Sequence, residues 1–349
     1  MPSEKRSTRS RLLTIGLPFY KAPEARGRSL GGLAVLGALL LAINVMNVIN
    51  SYMGRDFMTA LAGREAARFF AFAGILAGVF AVSTVVEVLA HYSEQRLGLV
   101  WREWLTRRLI DRYLANQTYL RLADREEIDN PDERISLDIQ TFTATMLSIL
   151  IMVFNGIVTL AAFSWVLWSI TPWLFLVAYG YAGIGCIGTI LLGRRLAMLN
   201  NRQIRKEADF RYSLGRLREN AAAIARTAGE AEQKTHLHSG LTSLVQNFFD
   251  VIRVNRNLGF FITAFGYMPQ LIPAMVVAPL YFRGAVQFGA VTQAAMAFAQ
   301  VQGAFSIFEN QVQQLAIFAA VIGRLGALWD ATEPGSLDST DSVSSPNPQ

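Results

Sequence analysis

An acidic side chain inside an otherwise apolar stretch is costly, and Glu309 is such a residue. Gln302, Ser306, Glu309 and Gln313 follow one another at intervals of four, three and four residues, with Asn310 and Gln314 beside them. That spacing puts a polar stripe on one face of a helix. A carboxyl group on such a face, beside a water-filled cavity, has its pKa raised by desolvation, so it can bind and release a proton near neutral pH. The other use of the same groups is hydrogen bonding between helices. Glu87 and His91, one helical turn apart, form a second candidate for proton exchange, or an interfacial ion pair. Asn44, Asn47 and Asn50 repeat every three residues and suit a cavity wall or a glued helix contact equally well. Three histidines, the single Cys186 and no clustered ligand spacing leave no metal site, cofactor or enzymatic chemistry to assign.

The elements that must hold these residues are membrane spans. The chain of 349 residues is 52% hydrophobic and only 17% charged, with a mean hydropathy of +0.30, too apolar for an ordinary soluble domain. Six segments reach the roughly 20 residues needed to cross hydrocarbon: about 33–52, 69–91, 146–170, 173–192, 258–282 and 291–322. The third and fourth are separated only by Thr171 and Pro172, so they form an antiparallel pair turning at one membrane face. Pro269, Pro273 and Pro279 remove backbone donors from the fifth and predict kinks there. Ala178, Ala182 and Cys186 give the fourth a small-residue stripe suited to close packing.

The formal net charge of +6 is distributed as membrane topology rather than as a nucleic-acid patch. Lys5, Arg6, Arg9, Arg11, Lys21, Arg26 and Arg28 precede the first span, and most other basic residues lie between spans two and three or four and five. The positive-inside rule then puts both termini in the cytoplasm. The expected organisation is a basic cytoplasmic leader over residues 1–30, a six-helix membrane domain over 31–330 and a disordered tail over 331–349. Pro18 and Pro23 are expected to interrupt any amphipathic helix in the leader.

The two cytoplasmic connections are roughly 50 to 65 residues each, helical in pattern, and project on the order of 25 to 40 Å from the membrane. In the first, residues 101, 104, 105, 109 and 113 make an apolar and aromatic stripe among basic residues, as on a long helix snorkelling at the headgroups or one that rocks. Asn130, Pro131, Asp132, Glu133 and Arg134 follow as a turn leading into a helix. Long cytoplasmic helices with almost no external loops suggest an all-α polytopic architecture like the membrane domain of an ABC exporter.

Three passages carry a more specific likeness: Trp101 to Leu122, Asn130 to Phe142 (NPDERISLDIQTF) and Lys206 to Gln233. Together they resemble the membrane domain shared by bacterial D-type, peroxisomal-like ABC transporters and the SbmA/BacA peptide-uptake transporters, from about Asn44 to Trp329. The resemblance implies a homodimer of six-span halves whose cytoplasmic connections carry coupling segments that dock on ATPase domains. Here those segments correspond to Asn130–Arg134 and Ala222–Glu230, with Asp209, Phe210, Arg211, Glu219, Asn220, Gly229 and Glu230 as the candidate residues of the second. No G-x-x-x-x-G-K-[ST] phosphate loop occurs in the sequence. The chain also departs from the family where an acidic and an aromatic pair are usual, having Ala222, Ala223, Arg226 and Thr227, and where Glu-Trp-Arg-Ala is usual, having Ile317, Phe318, Ala319 and Ala320.

Three functions follow as expectations. The first is a homodimeric inner-membrane transporter of peptides or bulky amphipathic solutes, coupled to protons as the resemblance to SbmA/BacA implies. The second is the membrane subunit of an ABC transporter powered by a separately encoded ATPase. The third is a non-transporting scaffold or truncated remnant. Expected partners are membrane lipid, a second copy of the chain and, in the second reading, an ATPase subunit, with no nucleic acid.

Overall fold

The computed structural model describes residues 8–123, 129–310 and 312–332; the side chains at 9, 116, 123, 307–310, 312, 313 and 316 lie outside that description. Among the described residues every regular element is helical. The order is α1 (Thr8–Lys21), α2 (Pro23–Ala62), α3 (Ala66–Leu114), a 3-10 turn (Ala115–Gln117), α4 (Thr118–Ala123), α5 (Pro131–Glu133), a π-helical turn (Arg134–Asp138), α6 (Ile139–Ile170), α7 (Pro172–Glu219), α8 (Ala221–Thr227), α9 (Glu230–Phe282), α10 (Phe288–Asn310) and α11 (Val312–Ala331). The chain is an all-α polytopic membrane protein. Five helices, those containing the first five expected spans, are long and apolar enough to cross a bilayer. The sixth stretch, 291–322, is carried by α10 and α11, on either side of position 311.

These helices outrun the membrane. α3 has 49 residues, α7 has 48 and α9 has 53. At ~1.5 Å per residue each exceeds a ~30 Å hydrocarbon core by on the order of 40 Å. The Thr171–Pro172 turn is tight: Thr171 is extended at φ −164, and Pro172 opens α7, where its missing N–H costs nothing.

The chain divides into two compact units, residues 1–166 with 286–349 and residues 167–285. In the first, the core is aromatic. Phe19 stacks on Trp101 with centroids 5.3 Å apart, Trp101 meets Phe142 edge-on at 5.9 Å, and Phe142 stacks on Phe318 at 5.7 Å. These rings tie α1, α3, α6 and α11 together. Trp101, Leu105 and Leu109 are fully buried, so the stripe on α3 is a core face, not a snorkelling surface. The sequence expectation is corrected by α1, which lies over that stripe. Pro18 sits inside α1. The helix continues because burial of Ile15 and Phe19 offsets the one backbone bond that proline removes. Pro23, by contrast, is the first residue of α2.

α10 lies against α2 through a face of small residues, Ala290, Ala294 and Ala297, all buried. Gly289 has no space for a Cβ above the Arg55 carbonyl, and its N–H donates to Thr59 Oγ1 at 3.2 Å. In the second unit α7 and α9 pair along their length. Tyr181 stacks on Phe265 at 3.9 Å and donates its hydroxyl to the Phe265 carbonyl. Gly185 and Gly188 leave room for Phe265 and Phe261. Ala178 and Ala182 are buried, as the small-residue stripe predicts. α9 is one helix through Pro269, Pro273 and Pro279.

Candidate functional site

The first expected coupling segment is a built junction. Asn130 is left-handed at φ 45, a conformation that asparagine tolerates better than most residues, and Pro131 then starts α5. Asp132 and Glu133 occupy its first turn, where the helix dipole favours negative charge. The chain widens into a π turn at Arg134–Asp138. Arg134 and Asp138 are both buried, and both reach α11.

Arg134 Nη1 donates to the carbonyl of Arg324 at 3.0 Å, and its Nη2 to Asp129 Oδ1 at 2.6 Å. Arg324 in turn donates Nε and Nη2 to the two carboxylate oxygens of Asp138, at 2.9 and 2.5 Å. This is the bidentate geometry that makes arginine–carboxylate pairs strong and directional. The hydrogen bond and charge of Arg134 hold the Asp129 carboxyl below its ordinary range. The hydrogen bond that Arg324 donates to Asp138 raises its guanidinium pKa further.

Two further cations grip the same helix. Arg11 of α1 pairs with Asp330 at 3.1 Å and donates to the Gly323 carbonyl at 3.3 Å, crossing α11 where Gly326 leaves no room for a Cβ. Arg112 of α3 lies over the Trp329 ring, 4.1 Å from its centroid. α11 is therefore latched to α1, α3 and the Asn130–Asp138 turn. The sequence singled out Asn130–Arg134 as a turn but not Asp129, Asp138, Arg11, Arg112, Arg324 or Asp330 as its partners or neighbours. One signal was present: Arg324 and Asp330 are the two charged residues of α11.

The second expected segment is α8, set between the ends of α7 and α9. Asn220 ends α7, its amide Nδ2 donating to the Arg216 carbonyl at 3.0 Å, while its own carbonyl accepts from the Ala223 and Ile224 N–H groups. Ala228 turns left-handed at φ 48, and Gly229 then leads into Glu230 at the start of α9. Except for half-buried Ile224, α8 is exposed. Phe210, Leu214, Leu217, Ile224, Leu237 and Leu241 line an apolar groove of about 350 Å3 beside it, with Glu230 at its rim. Asp209, Arg211 and Glu219 are exposed on α7. Nearer the membrane, Asn247 joins α9 to α7 by donating to Gln203 Oε1 at 2.8 Å and to the Leu199 carbonyl at 3.3 Å.

The intramembrane candidates divide. Asn44 is buried, donating to Asn155 Oδ1 at 2.6 Å and to the Leu40 carbonyl at 2.9 Å. It accepts from Thr159 Oγ1 at 2.8 Å. It joins α2 to α6, so of the two uses open to it the structure shows the glue. Asn47 and Asn50 are half-buried. Glu87 and His91 are exposed, and His91 meets Glu94 at 3.5 Å and Gln95 at 3.0 Å. The expected Glu87–His91 pair is thus replaced, because residues three and four further along α3 reach the ring first. Gln302 and Ser306 are half-buried, Ser306 donating to the Gln302 carbonyl at 3.1 Å. The side chains of Glu309, Asn310 and Gln313 lie outside the described residues. Unforeseen were Ser51 on α2 and Gln293 on α10, whose buried Oγ and Nε2 have no hydrogen-bond partner among the described residues.

Comparison with known proteins gives the family. The family described as ABC transporter transmembrane region 2 matches residues 19–282, which include both expected coupling segments. The chain is 36% identical over 98% of its length to "ABC transporter D family member 2, chloroplastic" of Arabidopsis thaliana, covering 49% of that protein. It is 38% identical over 86% of its length to an uncharacterised ABC transporter ATP-binding protein of Synechocystis, covering 46% of it. It is 24% identical over 95% of its length to the inner membrane ABC transporter ATP-binding protein YddA of Escherichia coli, covering 62% of it. The chain spans about half the length of the first two of these relatives. With helices that outrun the bilayer, a latched turn after α4 and a short helix between α7 and α9, it belongs to the ABC transporter transmembrane region 2 family, as a D-type ABC transporter membrane domain.

Proposed function

We propose that this chain is the membrane-spanning part of an ATP-driven transporter that moves bulky amphipathic solutes, peptides among them, by alternating access as a homodimer. The ATPase is joined to it in a longer polypeptide or supplied by a separate one. Its membrane is the bacterial inner membrane, and its basic side, with the ends of the long helices, faces the cytoplasm. The observation that carries the reading is the latch between the Asn130–Asp138 turn and α11. A turn rigidly joined to a membrane helix passes a push from a docked domain into the bilayer. The names of the Synechocystis and Escherichia coli relatives, both ATP-binding proteins, support nucleotide as the energy source.

The second reading is proton coupling in the manner of SbmA/BacA, with Glu309 as the switch. It is favoured by α8, which has no acidic residue and whose Arg226 donates Nε to its own helix at the Ala222 carbonyl. Uptake of fluorescent peptides into proteoliposomes separates the two. The ATP-driven reading predicts uptake that needs the ATPase and ATP and persists in Glu309→Gln. Proton coupling predicts uptake driven by a pH gradient alone and abolished by that substitution.

A further inference from the structure

A groove of about 350 Å3 runs between the start of α2 and the middle of α3. Its shape comes from glycine. Gly32 brings the helices together, since a Cβ there would stand 3.0 Å from Leu97 Cδ1, whereas Gly27 and Gly31 face open space with no atom within 4 Å. The result is a furrow one side chain deep along α2. Arg28 stands on one wall and Arg96 on the other, with Tyr92 and Ser93 beside Arg96. Both guanidinium groups are exposed, and neither has an ion-pair partner among the described residues. Some exposed arginines of this chain are paired, as Arg107 is with Glu103 and Arg253 with Asp250. Glu94, the acid nearest Arg96 in sequence, faces His91 instead.

Depth decides what fits. The Gly32–Leu97 contact puts Arg96 level with the first residues of span one, and Arg28 about one turn, ~6 Å, further out. A headgroup layer is roughly 5 to 7 Å thick on each side of the hydrocarbon, so the two cations bracket it. Val35, one turn inward from Gly31, is 53% exposed and continues the furrow into the hydrocarbon as an apolar track. Paired cations and hydroxyl donors at headgroup depth, opening onto an apolar track, match an anionic amphiphile rather than a free anion.

We propose that this groove is a binding site for an anionic glycerophospholipid, its phosphate held between Arg28 and Arg96 and one acyl chain lying over Gly31 and Val35. The lipid would fasten α2 to α3 at the membrane surface. The site uses the span assignment alone and is independent of what energises transport.

The test is lipid retention by the full chain, extracted from vesicles of phosphatidylcholine mixed with phosphatidylglycerol and weighed by native mass spectrometry. The wild-type chain should keep phosphatidylglycerol in preference to phosphatidylcholine. Arg28→Gln with Arg96→Gln should lower that retention roughly tenfold or more, as expected for two cations lost at a membrane surface. Gly31→Leu should lower it by filling the furrow without changing charge, which keeps the test valid should the double variant fold poorly. Arg26→Gln, which removes a cation on the same helix outside the groove, should retain lipid as wild type does. Equal retention of the two lipids would overturn the proposal. So would an equal loss in Arg26→Gln, or displacement of the lipid by inorganic phosphate, which would make the groove a site for a free anion.

Discussion

Two charged contacts set the behaviour expected of single residues. Asp138 is buried while the side chain of its partner Arg324 is 48% exposed, so breaking the pair should cost about 1 to 2 kcal/mol, less than for a fully enclosed pair. Asp138→Asn and Arg324→Gln should each lower the melting temperature in detergent. The double variant should be less destabilised than the sum of the two, and strict additivity would mean that the contact carries no coupling. Asp129 gives a pH signature. Its folded pKa is lowered by Arg134, so its contribution is present above the ordinary carboxylate value and fades as pH falls through the lowered one. Asp129→Asn should remove that part of the acid limb of a stability-against-pH curve; superimposable limbs would contradict it. Asn44→Leu strands the side chains of Asn155 and Thr159 and should cost roughly 0.6 to 2 kcal/mol in thermal or denaturant unfolding.

Helices show their dependence on close approach. Gly289→Val drives a side chain into the Arg55 carbonyl and should separate α10 from α2, at about 1 to 3 kcal/mol, readable as a fall in melting temperature that Gly303→Val, in open space, does not share. α8 should behave oppositely: Ala223→Asp, on its exposed face, should leave stability near wild type yet weaken association with the ATPase, because that face packs against nothing among the described residues. The first five spans and the Thr171–Pro172 turn were legible because hydropathy and proline act locally. The burial of Trp101 was not, because it depends on α1 lying over α3, a contact between residues some eighty positions apart. The latch was half legible. The NPDER turn announces itself in sequence, whereas Arg324 acquires meaning only when α11 stands beside Asp138. His91 was misassigned because helical spacing offers it Glu94 and Gln95 as readily as Glu87.

At the scale of the whole chain, large apolar side chains remain uncovered. Phe260, Ile262, Tyr267 and Met275 on α9 and Ile184, Ile187 and Leu191 on α7 are each more than half exposed. A helix pair that hydrophobic needs lipid or a second copy around it, which fits the proposed homodimer. The central claim is that the cytoplasmic ends of these helices receive mechanical work from an ATPase. Its most direct measurement is transport in proteoliposomes made from the affinity-purified chain together with its ATPase, using fluorescent peptides as cargo. ATP, ATP withheld and an imposed proton gradient without ATP are compared for the wild-type and Arg324→Gln proteins. The account predicts uptake with ATP only, and ATP hydrolysis that continues in Arg324→Gln while uptake falls. Full uptake on the proton gradient alone, with the ATPase absent, would contradict it.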